Sequence, residues 1–239
     1  MPNYLAMEKF INKQVKFWES QKARIILHDD SEQAKPFITI EREYGCLGYD
    51  LGKKIVELLN TKYPGDLTWA AYDKQVLDKV MEDMGLSASL AKSLTDDARQ
   101  QLTNVLNTSF SKFPPQVSVY KKLAETIRML AANGNVVIIG RAGNVITREM
   151  KGGYNIRIIA PMDYKINNIM KIKGVDKKEA EKLIIDNTAR RVNYIREFVD
   201  FDIMDPHNYH LILNAAKFNI EEMAEVVIQG LKIKGHLPS

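Results

Sequence analysis

Leu5, Phe10, Ile11, Val15 and Phe17 or Trp18 recur at helix-like intervals, and a polar stretch over residues 28–35 follows them. This pattern predicts an N-terminal helical extension and linker over residues 1–36, which either covers part of the main domain or meets a partner. After Pro36 the rhythm changes to short apolar runs alternating with longer helical stretches. Strands are predicted at Phe37-Ile38-Thr39-Ile40 and over residues 67–72, 135–139, 154–160 and 209–213, each apolar enough to be buried on both faces. A helix over 51–59 follows the first strand. Five buried strands separated by helices predict an α/β fold with a parallel sheet covered on both sides.

The interval between the second and third strands is too long for one crossover helix. It carries helical patterns over 74–84, 87–107 and 119–132, with a break at Phe113-Pro114-Pro115. This predicts a helical region inserted at about 85–117 within a domain spanning 37–235. Residues 165–198, between the fourth and fifth strands, read as helical and are dense in basic side chains. No internal repeat or low-complexity segment interrupts this order.

Composition narrows the class without naming the chemistry. An apolar share of 45% in 239 residues suits an ordinary packed core. With Cys46 as the single cysteine there is no intramolecular disulfide, and His28, His207, His210 and His236 lack zinc-ligand spacing. No apolar run approaches the roughly 20 residues needed to span a bilayer, and the first residues lack a signal-peptide core. The expectation is a cytoplasmic protein without membrane contact. A net charge of +4 suits a polyanionic ligand and equally a solvated, lysine-rich surface.

Ligands of parallel sheets bind at the carboxyl ends of the strands, which directs attention to the turn after Ile40. It reads Glu41-Arg42-Glu43-Tyr44-Gly45-Cys46-Leu47-Gly48-Tyr49-Asp50 and enters a helix. Gly45 and Gly48 permit a tight loop whose amides, with the helix N-terminus, outline an anion cradle. The phosphate-binding pattern GxxxxGK[ST] is not met. Arg42 and Leu47 stand at its glycines, Gly48 at its lysine and Tyr49 at its hydroxyl residue. A plain strand-to-helix turn explains two glycines as well.

A longer comparison adds to this. The segment ITIEREYGCLGYDLGKKI, with its Arg42-Glu43-Tyr44-Gly45, resembles the first strand, loop and helix of the cytidylate kinase-like family, a divergent branch of the P-loop kinases. The resemblance continues through Tyr72-Asp73-Lys74, Val137-Ile138-Ile139-Gly140-Arg141, Ile156-Arg157-Ile158-Ile159-Ala160-Pro161 and Asp205-Pro206-His207-Asn208-Tyr209-His210-Leu211-Ile212-Leu213-Asn214. It runs in order from about Phe37 to Asn214. It implies a three-layer P-loop kinase fold with a five-stranded parallel sheet, an inserted helical acceptor-binding region and a helical lid over about 174–200. Four positions depart from the family pattern: Leu47 replaces a third glycine, Tyr49 a basic residue, His210 an aspartate and Ala215 a Ser or Thr.

The resemblance also implies roles. Tyr44, Gly45, Cys46, Leu47, Gly48 and Tyr49, with Arg42, stand where ATP phosphates bind. Asp73 stands where an acidic residue holds Mg2+ or orients the acceptor, and Asp also commonly caps a helix. Arg141 stands where a strand-end arginine contacts a monophosphate. Arg190 and Arg191 stand in the lid, where arginines stabilise transferring charge, although ion pairs on a solvated helix explain them too. Without a loop lysine, Arg42 is the nearest replacement cation, or a structural partner of Glu41, Glu43 or Asp73. Cys46 reads as a buried filler or as a thiol activated by the helix N-terminus. Two functions follow: an ATP- and Mg2+-dependent kinase acting on a nucleotide such as CMP or dCMP, or a nucleotide-binding protein on the same fold that has lost transfer. Nucleic acid is not expected as a partner, and homo-oligomerisation is left open.

Overall fold

The computed structural model describes residues 35–64, 68–82, 118–198 and 201–238. The expected N-terminal helix and inserted region, with Arg99, Gln100 and Asn104, lie outside the described residues, as do the side chains of 82, 118–121 and 193–198.

The strands are β1 (Phe37–Arg42), β2 (Ala70–Tyr72), β3 (Val136–Ile139), β4 (Gly153–Ile159) and β5 (Leu211–Asn214). They form one sheet in the order β2-β3-β1-β4-β5, and every pairing is parallel. The helices are α1 (Gly48–Lys62), α2 (Lys74–Glu82), α3 (Ser118–Asn133), α4 (Gly143–Ile146), α5 (Met162–Lys173), α6 (Lys177–Phe198) and α7 (Ile220–Ile233). The single helical stretch read over 165–198 is thus two helices, parted where Gly174 turns left-handed at φ 67°. The second strand is shorter than its apolar run, beginning at Ala70 after Trp69 has turned to bond the Asn60 side chain.

Helix α1 buries Leu51, Ile55 and Leu59, spaced four apart, and packs with α7 on one face of the sheet. That face is apolar: Ile38, Ile40, Val137, Ile139, Ile156, Ile158 and Leu213 all point into the same core. A capping box between Asn219 and Glu222 fixes the start of α7. Strands buried on both faces were expected to be apolar throughout, and here β1 and β4 differ. Their other face carries Thr39, Glu41, Asn155 and Arg157, three of them almost fully buried, and Thr39 donates to Asn155 Oδ1 at 2.7 Å. A buried polar row needs polar partners. This one lies beneath α4 and residues 201–209, where the chemistry described below is gathered.

At the other end of β4, the Asn155 N–H donates to His210 Nδ1 at 3.0 Å, and the ring stacks on Tyr154 at 5.3 Å between centroids. Only a neutral imidazole offers that lone pair. Burial, with Lys234 and His236 nearby, holds His210 below its ordinary value of 6.5. A folded value below the unfolded one means that the unfolded chain binds more protons in the interval. Stability from this group is therefore complete above the unfolded value and is lost as pH falls through the folded one. His236 is lowered in the same direction. We expect urea midpoints to fall from about pH 7 to about pH 5, with a shallower fall in His210→Gln. An identical pH profile in that variant would assign the effect to other groups.

Candidate active site at the carboxyl edge of the sheet

The carboxyl ends of β1, β2 and β3 lie side by side, with Ile40 beside Ile139 and Tyr72 beside Ile138. This brings Arg42, Asp73 and Gly140-Arg141 to one edge. The path of the Arg42 side chain depends on two glycines. A Cβ at Gly48 would lie 2.8 Å from Arg42 Cγ, and a Cβ at Gly140 would lie 1.7 Å from its Nη1. The stem crosses the first turn of α1 and the guanidinium rests on the backbone of Gly140. Gly48 therefore makes room for Arg42.

Gly140, Arg141 and Ala142 turn left-handed in succession, at φ 72°, 55° and 55°. Two of the three carry side chains, which makes this the most strained turn among the described residues. It aims Arg141 at α2, where its Nη2 donates to Asp78 Oδ1 at 3.0 Å. Lys74 bonds the other oxygen of the same carboxylate at 2.8 Å. Arg141 Nε is buried with no hydrogen-bond partner among the described residues.

From the far side, α6 brings in Asn187, Arg190 and Arg191. Arg191 Nη1 donates to the Arg42 carbonyl at 2.6 Å, and its guanidinium lies 5.8 Å from the centre of the Tyr44 ring. The result is a cleft of about 290 Å³ into which Arg42, Lys74, Arg141, Arg190 and Arg191 converge. Glu41 is the acid on its wall. Arg42 is held down at about 10, chiefly by burial and then by Arg191, with Glu41 and Asp73 pulling the other way. A buried cation crowded by a second cation gains from any anion that enters. Arrangements of this kind recognise phosphate.

The turn between β1 and α1 is built differently from the expected cradle. The Glu43 carboxylate takes hydrogen bonds from Lys165 Nζ at 2.8 Å and from the Ala160 N–H at 3.3 Å. Asn168 Nδ2 donates to the Gly45 carbonyl at 2.9 Å. These bonds pin the turn to β4 and α5. Leu47 takes a left-handed conformation, φ 52°, at the start of α1 and offers no side-chain cap. Tyr49 is half-exposed, with Lys53 4.8 Å above its ring. None of the residues from Tyr44 to Tyr49 lines the arginine cleft. Cys46 is fully buried in the core, and burial together with Glu43 pushes its thiol up to about 12, which makes it a filler and not a nucleophile. Lys54 bonds Glu57 and Glu221 on the solvent side.

Asp73 Oδ1 accepts from the Val76 N–H at 3.0 Å, so it does cap α2. No cluster of three metal-binding side chains occurs among the described residues. Of the residues singled out from sequence, Arg42, Arg141, Arg190 and Arg191 come together, and Asp73 stands beside them. Asp78 was not anticipated, and Lys74, Glu41 and Asn187 were not singled out as site residues, although Glu41 was read as a candidate partner of Arg42. The four-residue spacing of Lys74 and Asp78 was the available signal for the first two.

The sequence profile of the cytidylate kinase-like family matches residues 37–217, which includes every residue of this cleft. The chain belongs to the cytidylate kinase-like family. Among curated relatives, the cytidylate kinase of Methanocaldococcus jannaschii is 28% identical over 124 residues, covering 49% of this chain and 68% of that protein. Among solved structures, an uncharacterised protein from Eubacterium ventriosum superposes with a TM-score of 0.64 at 21% identity, over 83% of this chain and 99% of that one. That likeness concerns the fold. Membership of the cytidylate kinase-like family, with the all-parallel order β2-β3-β1-β4-β5, makes this a P-loop kinase type of α/β fold and a nucleotide kinase-like protein. No helix among the described residues is long and apolar enough to cross a membrane.

Proposed function

We propose that the chain is an ATP-dependent phosphotransferase that passes a phosphoryl group to a nucleoside monophosphate of the CMP or dCMP kind. The convergence of Arg42, Arg141, Arg190, Arg191 and Lys74 in one cleft carries this reading. Phosphoryl transfer needs positioning and charge stabilisation more than covalent chemistry, and these side chains supply both. Arg141, steadied by Asp78, holds the acceptor phosphate. Arg42, with Arg190 and Arg191 from the lid, stabilises charge on the transferring oxygens and excludes water as α6 closes. The cleft suits the polyphosphate of ATP by charge. For Mg2+ the residues present fit a site of few protein ligands, with Asp73 and Glu41 as the nearest carboxylates and phosphate and water completing the shell. Bound there, the ion would neutralise phosphate charge.

A second reading, a nucleotide-binding protein without transfer, draws on Gly48 and Tyr49, which stand where a lysine and a hydroxyl residue would act, and on the half-exposure of Tyr49. Incubation with ATP, Mg2+ and each common monophosphate separates the two. We expect ADP to form with CMP or dCMP. Stabilisation by ATP against heat without ADP formation would establish the second reading, and no stabilisation by any nucleotide would reject both.

A further inference from the structure

A larger cavity, about 570 Å³, opens away from the arginine cleft, between α4 and residues 201–210 and toward the amino ends of β4 and β5. Its volume lies in the usual range for small-molecule sites, about 300–1,000 Å³. Its character differs from that of the cleft. Arg148 is offset by Asp202 and Asp205 on the opposite wall, so nothing concentrates positive charge there.

The polar groups that line it are set before any ligand arrives. Asn208 Nδ2 donates to the Asp202 carbonyl at 2.8 Å, and the Tyr209 hydroxyl donates to the Ile203 carbonyl at 2.8 Å, which fixes the wall. The Thr39 hydroxyl donates to Asn155 Oδ1, which turns the N–H2 of that carboxamide toward other acceptors. His210, kept neutral and accepting at Nδ1, presents an N–H at Nε2. Asn144 borders the cavity at 2% exposure, and among the described residues its carboxamide has no close partner beyond one neighbour. Its polar neighbour is the Tyr209 hydroxyl, which donates to the Ile203 carbonyl and keeps its lone pairs for the Asn144 N–H2, so that the Asn144 oxygen is the atom left over. A buried carboxamide oxygen without a partner destabilises the fold unless something pairs with it.

We propose that this cavity is a second binding site, for an uncharged ligand of the nucleoside class. The Asn155 carboxamide and the His210 ring line this space, and their N–H groups are donors of the kind that meet the acceptor edge of a base. Phe201 lines the same space and offers a ring against which a base can stack. With Arg148 against Asp202 and Asp205 the lining is net negative, which favours the nucleoside portion over a phosphate, the reverse of the arginine cleft.

The test is titration of the full chain with adenosine, cytidine, guanosine and uridine by calorimetry, with hydrogen exchange to locate the contact. We expect at least one of them to bind, to slow exchange over 201–210, and to retain its affinity in Arg191→Ala. Asn155→Leu should weaken that binding at least tenfold. Phe201→Ala, nearer the surface, should do the same and serves if the first variant fails to fold. No binding by any of the four, undiminished binding in Phe201→Ala, or loss of binding in Arg191→Ala overturns the proposal. Phosphate-free ligands keep this outcome separate from whether the chain transfers phosphate.

Discussion

Arg42→Met is expected to lower turnover by roughly 100- to 1,000-fold while leaving the ligand-free fold as stable as before or more so. Both halves follow from one position. The guanidinium is buried, and its proton affinity is reduced to about 10 by that burial and by Arg191. A cation whose folded value lies below the unfolded one is held at neutral pH against a penalty, and removing the charge relieves it. Methionine keeps most of the stem that lies on Gly48 and removes the charge, so a gain of about 1–3 kcal/mol in urea unfolding is expected. The same change removes the cation closest to the strand-end turn. Inorganic pyrophosphate, which should raise the melting temperature of the parent chain, should do so much less in this variant. A variant that keeps full turnover, or responds to pyrophosphate as the parent does, would remove Arg42 from the chemistry.

Gly140→Ala is expected to cost nearly as much activity as Arg42→Met, although it changes no charged group. The added Cβ would lie 1.7 Å from Arg42 Nη1, and the guanidinium is the free end of a flexible chain, so it is the part that yields. The backbone contributes separately, because φ is 72° at this residue and a left-handed alanine costs about 1–2 kcal/mol. Stability should fall by about that backbone amount. Activity should fall because Arg42 has lost its resting place. The double variant should be no less active than the worse single one, since both remove the same group from the same place. Additive losses would mean that Gly140 serves the site independently of Arg42.

The parts of this molecule that sequence reveals are those in which neighbouring residues carry the signal. Phe37-Ile38-Thr39-Ile40 and Val136–Ile139 read as strands because their apolar character ends abruptly in charge or glycine. Arg42 and Arg141 were legible as site candidates because each stands two residues past such a run in a parallel sheet, where the strand ends converge, and because the family resemblance covers both. Arg191 was legible as one of a pair, and the structure places its guanidinium against the Arg42 carbonyl. Other features depend on paths through space. That the Arg42 side chain crosses Gly48 to reach Gly140 is a meeting of residues far apart in the chain. The Asp78 bond to Arg141 is another. The polar face of β1 and β4 was missed because the strands were read as apolar on both faces; the alternation of Ile38, Thr39, Ile40 and Glu41 was the available signal, and what covers it comes from residues 201–209, far along the chain.

The hairpin of α5 and α6 holds the turn after β1 at two places. At its root, Lys165 and Asn168 bind Glu43 and Gly45, and well past the bend at Gly174, Arg191 binds the carbonyl of Arg42. The two fastenings are unequal in kind. The root combines an ion pair with a carboxamide hydrogen bond, whereas the outer contact is a single charge-assisted bond to a main-chain carbonyl, worth about 1.5–3 kcal/mol, and all three are partly buried. On the proposed function, a ligand phosphate that attracts Arg191 would compete with the Arg42 carbonyl for that side chain and so act on the outer fastening while leaving the root in place.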